Sequence, residues 1–351
     1  MSGQQSPSAE TVVPCPPELA DDFLSRPSVR VLETLARTPG PVLVLGAGGK
    51  IGLHLSMMIR RAFDSLGRKD PVFAISRFRS LRNRHVFEEH GVVTQACDLG
   101  NRASVTALPE APTVFYLVGV KFGTSNAPEL LKEINVEMPR NIADRFRQAR
   151  IVAYSTGNVY PFVRPDSGGA TEETRPEPVG DYAASCLARE QALAEVSKLH
   201  GTKVTLIRLS YSVEFRYGVL VDIAQRVLQG KPVDVTTGYV NVIWQTDAIA
   251  HCIQALDLAS SPAVPINVTG SEILSVRWLA QRFGELLKRP VQITGHEAET
   301  AWLSNAARSH RLFGLPPTPV PTMMAWVAAW LTNGGPTWRK PTSFERRDGR
   351  F

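Results

Sequence analysis

An α/β chain built on a doubly wound parallel sheet is predicted from three observations. Short, almost wholly apolar runs recur between Val42 and Leu209; segments with apolar residues at helical spacing lie between them; and the first run ends in glycines that lead straight into the first helical pattern. Strands covered on both faces by crossover helices have no solvent side, so they read as continuous apolar runs rather than as alternating ones.

The first strand is Val42-Leu43-Val44-Leu45, followed by a helical pattern from Lys50 to Phe63. Val72 to Ile75, Val92 to Ala96, Val114 to Val118, Ile151 to Tyr154 and Val204 to Ile207 supply five further strands, with helices expected at Glu129 to Arg147 and Tyr182 to Leu199. Beyond Leu209 the alternation loosens. Helices are expected there at Val219 to Leu228, Asp247 to Leu256, Val276 to Leu287 and around Met323 to Leu331, a set suited to a smaller C-terminal substrate-binding subdomain over the sheet.

The predicted organisation is an N-terminal extension over 1–38, partly disordered where Ser, Pro and Gln dominate its first 20 residues; a dinucleotide-binding core over 39–210; a mixed substrate-binding part with late core elements over 211–333; and a basic tail over 334–351. That tail, rich in Pro, Gly and Arg, reads equally as a docking segment or as a frayed end.

Composition narrows the class. With 351 residues, 43% hydrophobic and 21% charged, the chain can bury a large core. A net charge of +6 from scattered Arg and Lys favours approach of anions, but no nucleic-acid motif accompanies it. Four widely spaced cysteines, Cys15, Cys97, Cys186 and Cys252, form no Cys-x-x-Cys pair, so neither a disulfide framework nor a metal site is expected. No apolar run approaches the roughly 20 residues of a membrane helix, and no signal-like segment opens the chain, so a cytoplasmic protein is expected.

The turn Gly46-Ala-Gly-Gly49-Lys50-Ile51-Gly52 follows the first strand directly. Glycines there let the backbone approach a diphosphate and place it at the positive end of the next helix, the arrangement of a dinucleotide site. At the end of the second strand an NAD site usually presents an acid to the adenosine ribose, whereas this chain offers Ser76-Arg77, with Arg79, Arg82 and Arg84 behind. A guanidinium at Arg77 suits a 2′-phosphate, so NADP is favoured over NAD; Arg82 and Arg84 read also as a solvated basic face.

Several motifs in order resemble the extended short-chain dehydrogenase/reductase family, the NAD-dependent epimerase/dehydratases, whose core is Rossmann-like. They are the glycine spacing, Asp98-Leu99 after the third strand, Ser155-Thr156 ahead of Val159-Tyr160, and Tyr182 in Tyr-Ala-Ala-Ser, and the likeness covers roughly 40 to 270. The resemblance implies that Asp98 and Leu99 lie beside the adenine, that Asn135 sits on the long fourth helix, and that Tyr182 is the catalytic acid/base assisted by Thr156. Gly119-Val120-Lys121 is similar to a family turn that brings Val118 and Lys121 to the cofactor. Dimerisation through the two long helices is implied as well.

Two departures stand out: Cys186 occupies the place of the motif lysine beside the cofactor, and Tyr211 stands where many nucleotide-sugar enzymes carry Asn. A tyrosine titrates near 10, so only about one in a thousand is ionised at neutral pH unless a cation lowers its pKa by about 1 to 3 units. Cysteine supplies no such charge. Arg189, seven residues beyond Tyr182, reads as a surface residue, and Cys186 as a buried, inert thiol. The expected activity is an NAD(P)-dependent oxidoreductase or epimerase working on a hydroxyl or keto group of a sugar, sugar acid or similar small polyol, slower than lysine-bearing relatives. The alternative is a dinucleotide-binding sensor or scaffold with little chemistry. A dehydratase is disfavoured, since Gly157-Asn158 follows Thr156 where dehydratases carry acids.

Overall fold

The computed structural model describes residues 13–78, 83–119 and 133–349. Six strands in the core are β1 (Val42–Leu45), β2 (Val72–Ser76), β3 (Val93–Ala96), β4 (Thr113–Tyr116), β5 (Arg150–Thr156) and β6 (Lys203–Leu209). A seventh, Val264–Val268, completes a fully parallel sheet in the order Val264–Val268, β6, β5, β4, β1, β2, β3. Its register sets Val42 opposite Val72 on one side and opposite Thr113 on the other.

The continuous apolar reading of β1 follows from packing on both faces. Val42 and Val44 enter one core with Leu55, Ile59 and Phe63 of the Gly52–Ser65 helix, while Leu43 and Leu45 enter the opposite one with Ile142, Phe146 and Leu193. The order in which strands are laid down reverses between the parallel neighbours β1 and β4, which opens a crevice at their carboxyl ends.

Helices expected at Val219 to Leu228 and Val276 to Leu287 form over those residues. Those expected at Asp247 to Leu256 and Met323 to Leu331 occupy Gln245–Gln254, with a 3-10 turn at Ala255–Leu258, and Val320–Thr332. Of the long helix expected from Glu129, the described portion is a π turn at Glu133–Glu137 leading into Met138–Arg145; its start lies outside the described residues.

The seventh strand went unforeseen because Pro265 and Asn267 interrupt its apolar pattern. At a sheet edge a proline gives up no ladder bond on the open side, so the strand tolerates it.

A separate apolar core organises the C-terminal part. Phe215 stacks on Trp330 with ring centroids 4.8 Å apart and meets the Trp244 ring edge-on at 5.0 Å. Residues ahead of β1 contribute to it: Phe23 packs edge-on against Trp326 at 5.3 Å, and Ala20 and Leu24 of the Ala20–Leu24 helix are fully buried.

The tail docks onto the chain itself. Trp338 donates its backbone N–H to Arg216 O, Thr342 binds Asp222 Oδ2 through N (2.7 Å) and Oγ1 (2.6 Å), and Phe344 is buried with its carbonyl accepting from Thr237. Farther on, Arg347 grips Thr300 and covers the Phe162 ring at 4.2 Å. Gly349 packs so closely on Gly180 and Val179 that a Cβ on Gly349 would stand 2.2 Å from Val179 O.

Candidate functional site

The glycine turn hands β1 to the Gly52–Ser65 helix in the smallest possible space. Gly46 has φ +80°, and a Cβ there would meet Val118 at 3.0 Å; a Cβ on Gly52 would lie 2.2 Å from Ala47 O. Only glycine permits both the left-handed turn and the close helix approach. Above the turn lies a trough of about 290 Å³ bounded by Gly46, Gly49, Ile51, Val118 and Arg189, among others. A second cavity of about 200 Å³ adjoins it, and Lys50, Ile51, Ser155, Tyr182 and Leu209 line both.

Tyr182 sits in the first turn of the 21-residue Gly180–His200 helix, and Thr156 at the end of β5, so two different elements deliver them to the junction of the cavities. Tyr182 is hydrogen-bonded to Thr156 and to the Cys186 thiol. Thr156 Oγ1 is further held by Asn158, donating to its Oδ1 at 3.0 Å and accepting from its backbone N–H at 3.2 Å. Burial, then Cys186, push the Tyr182 phenol well above its ordinary pKa, while Arg189 and Thr156 pull against them. The resting phenol is therefore protonated at neutral pH.

Arg189 is not a surface residue. Only 5% exposed, its guanidinium donates to Val118 O and Asn135 Oδ1 at 2.9 Å each and to Cys186 Sγ at 3.4 Å. Burial of that charge is offset by these acceptors, and the small Gly119 makes the room: a Cβ there would stand 2.7 Å from Arg189 Nη1. A cation therefore stands beside Cys186, three residues along the same helix.

Cys186 itself, expected at the cofactor, lies 1% exposed in a cluster with Val159, Tyr160 and Ala170 and is absent from the residues lining the trough. All four cysteines are buried and free.

The remaining expected residues divide. Arg77 is exposed at the end of β2, and Asp98 is exposed at the end of β3 with its carboxylate accepting from Gly100 N–H at 3.1 Å, while Leu99 is buried. All three stand on the carboxyl side of the sheet with the glycine turn. Lys121, Arg79 and Arg82 lie outside the described residues.

Lys50, expected at the cofactor, faces the second cavity as well, its ammonium 3.2 Å from the Tyr217 ring centroid. Tyr217, Gln245 and Thr342 complete walls that no motif announced. They come from a loop, a helix start and the tail, each too far apart in sequence to signal a common site.

Beneath the site runs a buried polar chain. Ser155 Oγ donates to Glu190 Oε1 at 2.5 Å; Glu190 pairs with Arg208 at 2.7 Å; Arg208 Nη1 donates to Tyr160 Oη at 2.8 Å; and Tyr160 donates to Asn267 Oδ1. It ties the Gly180–His200 helix to β5, β6 and the edge strand, fixing the height of Tyr182 over the sheet.

A dinucleotide fits this trough on the chain's own terms. Arg189 Nε and Asn135 Nδ2 are buried donors with no partner among the described residues, and such groups are costly unless something binds them. Among the described residues no cluster of His, Cys, Asp or Glu could hold a metal ion, and no helix is long and apolar enough to cross a membrane.

Known proteins share this fold at low sequence identity. A UDP-glucuronate 4-epimerase of Arabidopsis thaliana is 24% identical over 251 residues, which are 65% of this chain and 58% of that protein, so the chain spans little more than half of that relative. The fold matches the solved UDP-glucose 4-epimerase of Thermotoga maritima with UDP-glucose (15% identity, TM-score 0.69, 84% of this chain and 99% of that one). It also matches the Thermus thermophilus UDP-glucose 4-epimerase complexed with NAD (20% identity, TM-score 0.67, 84% and 99%). The model of the NAD dependent epimerase/dehydratase family matches residues 42–258, well over half of the sequence, and with the glycine turn, the Thr156–Tyr182 pair and the seven-stranded sheet in place, this chain belongs to that family.

Proposed function

We propose that the protein is an NAD(P)-dependent oxidoreductase or epimerase that acts on a hydroxyl or keto group of a sugar, sugar acid or similar small polyol, with Tyr182 as its general acid/base. The observation that carries this reading is the position of Tyr182 and Thr156 where a trough floored by the glycine turn meets a second, polar cavity. A bound nicotinamide would supply the ring that accepts or donates the hydride. In the reducing direction the protonated Tyr182 phenol delivers its proton to the substrate oxygen. In the oxidising direction the substrate hydroxyl proton passes to the Tyr182 oxygen, which must first have lost its own.

Arg189 favours that ionised phenolate by its charge, and Thr156 by a hydrogen bond once its hydroxyl proton turns from Asn158 Oδ1 to the Tyr182 oxygen. Arg189 thus takes over electrostatically what the motif lysine does elsewhere. Gly157 argues against dehydration with an acid beside Thr156, because even a Cβ there would stand 2.1 Å from Ser210 Oγ. Arg77 supports NADP over NAD, since an exposed guanidinium at the end of β2 suits a ribose phosphate. A homodimer through the Gly180–His200 helix and its neighbour Met138–Arg145 belongs to the same reading, and sedimentation velocity tests it.

Calorimetry with NAD and NADP, followed by rate measurements on a panel of sugars and uronic acids with the Tyr182→Phe variant beside the wild type, tests the activity. Binding of a dinucleotide, with turnover that falls about 10²- to 10⁴-fold in the variant, is the expected result. Tight dinucleotide binding without turnover on any panel member selects the sensor reading, which the raised pKa of the phenol favours.

A further inference from the structure

One side chain in the wall of the cavity beside Tyr182 is held by hydrogen bonds that begin ahead of the sheet. Gln245, the first residue of the Gln245–Gln254 helix, lines this cavity with Tyr182 and Thr156, yet is only 3% exposed. Its Nε2 stands 2.5 Å from Nδ1 of His54, on the helix that follows the glycine turn. The other ring nitrogen of His54 stands 2.7 Å from Oδ1 of Asp21, on the Ala20–Leu24 helix.

The chemistry of these partners decides which way the amide faces. A carboxylate only accepts, so His54 Nε2 carries a proton and donates it to Asp21. Arg216 Nη2 lies 3.3 Å from that nitrogen but has its own acceptor in Asp21 Oδ1 at 2.8 Å. Burial pulls the imidazole below its ordinary pKa and favours the neutral ring, whose Nδ1 is then a bare acceptor. Opposite a bare acceptor the amide presents its NH2, which turns Oε1 away from His54. Among the described residues Gln245 Oε1 has no hydrogen-bond partner, and it is not sealed in the interior, so it opens onto the cavity that Gln245 lines. Such an acceptor on a nearly buried side chain costs free energy until a donor meets it. No carboxylate side chain stands among the described residues lining the cavity, so Oε1 is an uncharged acceptor of fixed direction, which suits a hydroxyl.

We infer that Gln245 is a specificity-determining residue whose Oε1 accepts a hydrogen bond from one hydroxyl of the substrate, and that His54 and Asp21 are positioning residues that fix the amide in that direction. The substrate class is thereby narrowed to molecules with a free hydroxyl at the carbon facing Gln245, and the form deoxygenated there is discriminated against, because it leaves the oxygen unpaired. The inference rests on the proposed oxidoreductase or epimerase reading, since a molecule whose reacting oxygen meets Tyr182 shares the cavity with Gln245.

Calorimetry on the full chain saturated with dinucleotide, titrated with D-glucuronate, D-galacturonate, D-gluconate, D-glucose, UDP-glucose and UDP-glucuronate and then with each monodeoxy analogue of the tightest of these probes, tests it in wild type, Gln245→Met, His54→Phe and His54→Asn. Gln245→Met should weaken the tightest probe about 10-fold or more, and one monodeoxy analogue should lose the same factor in the wild type but nothing further in Gln245→Met. His54→Phe should reproduce that loss with Gln245 intact, whereas His54→Asn, whose Oδ1 stands in for the ring acceptor, should restore most of the affinity. Unchanged affinity in Gln245→Met, or analogues that all lose the same factor in Gln245→Met as in wild type, overturns the inference and leaves the proposed activity standing. Equal weakening by His54→Phe and His54→Asn overturns the positioning role. Failure of the wild type to bind any dinucleotide, or to bind any of the probes once a dinucleotide is bound, overturns both readings. A thermal melt shows whether each variant is folded. If His54→Phe is not, nitrogen NMR of the His54 imidazole in the wild type carries the positioning arm: a proton on Nε2 supports it and a proton on Nδ1 overturns it.

Discussion

Tyr182, Cys186 and Arg189 form one electrostatic unit on a single helix face. The phenol is protonated at rest, so oxidation should speed up as pH rises through its ionisation. Arg189→Met removes the nearest favourable charge, and the inflection of the kcat–pH profile for oxidation should move upward by about 1 unit or more, with kcat at pH 7 about 10-fold lower. An unmoved inflection would show that Arg189 only packs. Restoring the motif lysine through Cys186→Lys should not accelerate turnover, because the new ammonium would enter the space facing the Arg189 guanidinium, 3.4 Å from the present sulfur. Like charges there should instead lower the melting temperature, measured by calorimetric scan. The position of the missing lysine was plain in the sequence, but its replacement was not. A lone arginine on a mixed helix face carries no sign of whether it points to solvent or to the sheet.

The Gly180–His200 helix is held by a pair buried to 4% and 7% side-chain exposure, Glu190 with Arg208. Glu190→Gln leaves a buried guanidinium without its carboxylate and should cost about 3–5 kcal/mol, read by urea unfolding, whereas replacing both partners by apolar residues should recover most of that loss. The turn ahead of the first long helix is equally constrained. Gly52→Ala would force a Cβ to 2.2 Å from Ala47 O, so dinucleotide affinity should fall at least 10-fold in calorimetry along with stability. These elements were differently legible. β1 and the glycine turn announce themselves because burial on both faces, the left-handed Gly46 and the tightly packed Gly52 act over a few neighbouring residues. Val264–Val268 does not, because an edge position relieves it of the apolar continuity that marked the others.

Taken together, the chain folds around two cores flanking the sheet and a third beneath the C-terminal helices, and residues at both ends of the described chain complete the third. Phe23 from the front and Phe344 from the tail are both part of it. Buried histidines give this assembly a pH limit. Burial, with the neighbouring His310 and Arg30, holds the His251 imidazole down to about 4, against roughly 6.5 in an unfolded chain. The unfolded state therefore binds the proton first as pH falls. Its stabilising contribution is complete above pH 6.5 and lost between there and pH 4, about 3 kcal/mol in all. Urea midpoints should fall across that window in the wild type and fall less in His251→Phe; parallel profiles would assign the acid loss to other groups such as His54, whose imidazole burial also pulls below its ordinary pKa.

Local pattern alone was enough for the parallel sheet and the glycine turn, because strand and helix periodicity and glycine geometry are written into neighbouring residues, whereas the pairing of Tyr182 with Thr156 was implied by the resemblance to a family. Folding in three dimensions was needed to turn Arg189 inward, to draw Cys186 away from the trough, to bring Lys50 against Tyr217 and to lay Thr342 in the cavity wall. Each of those contacts joins side chains through burial and charge across elements whose separation along the chain carries no periodic trace.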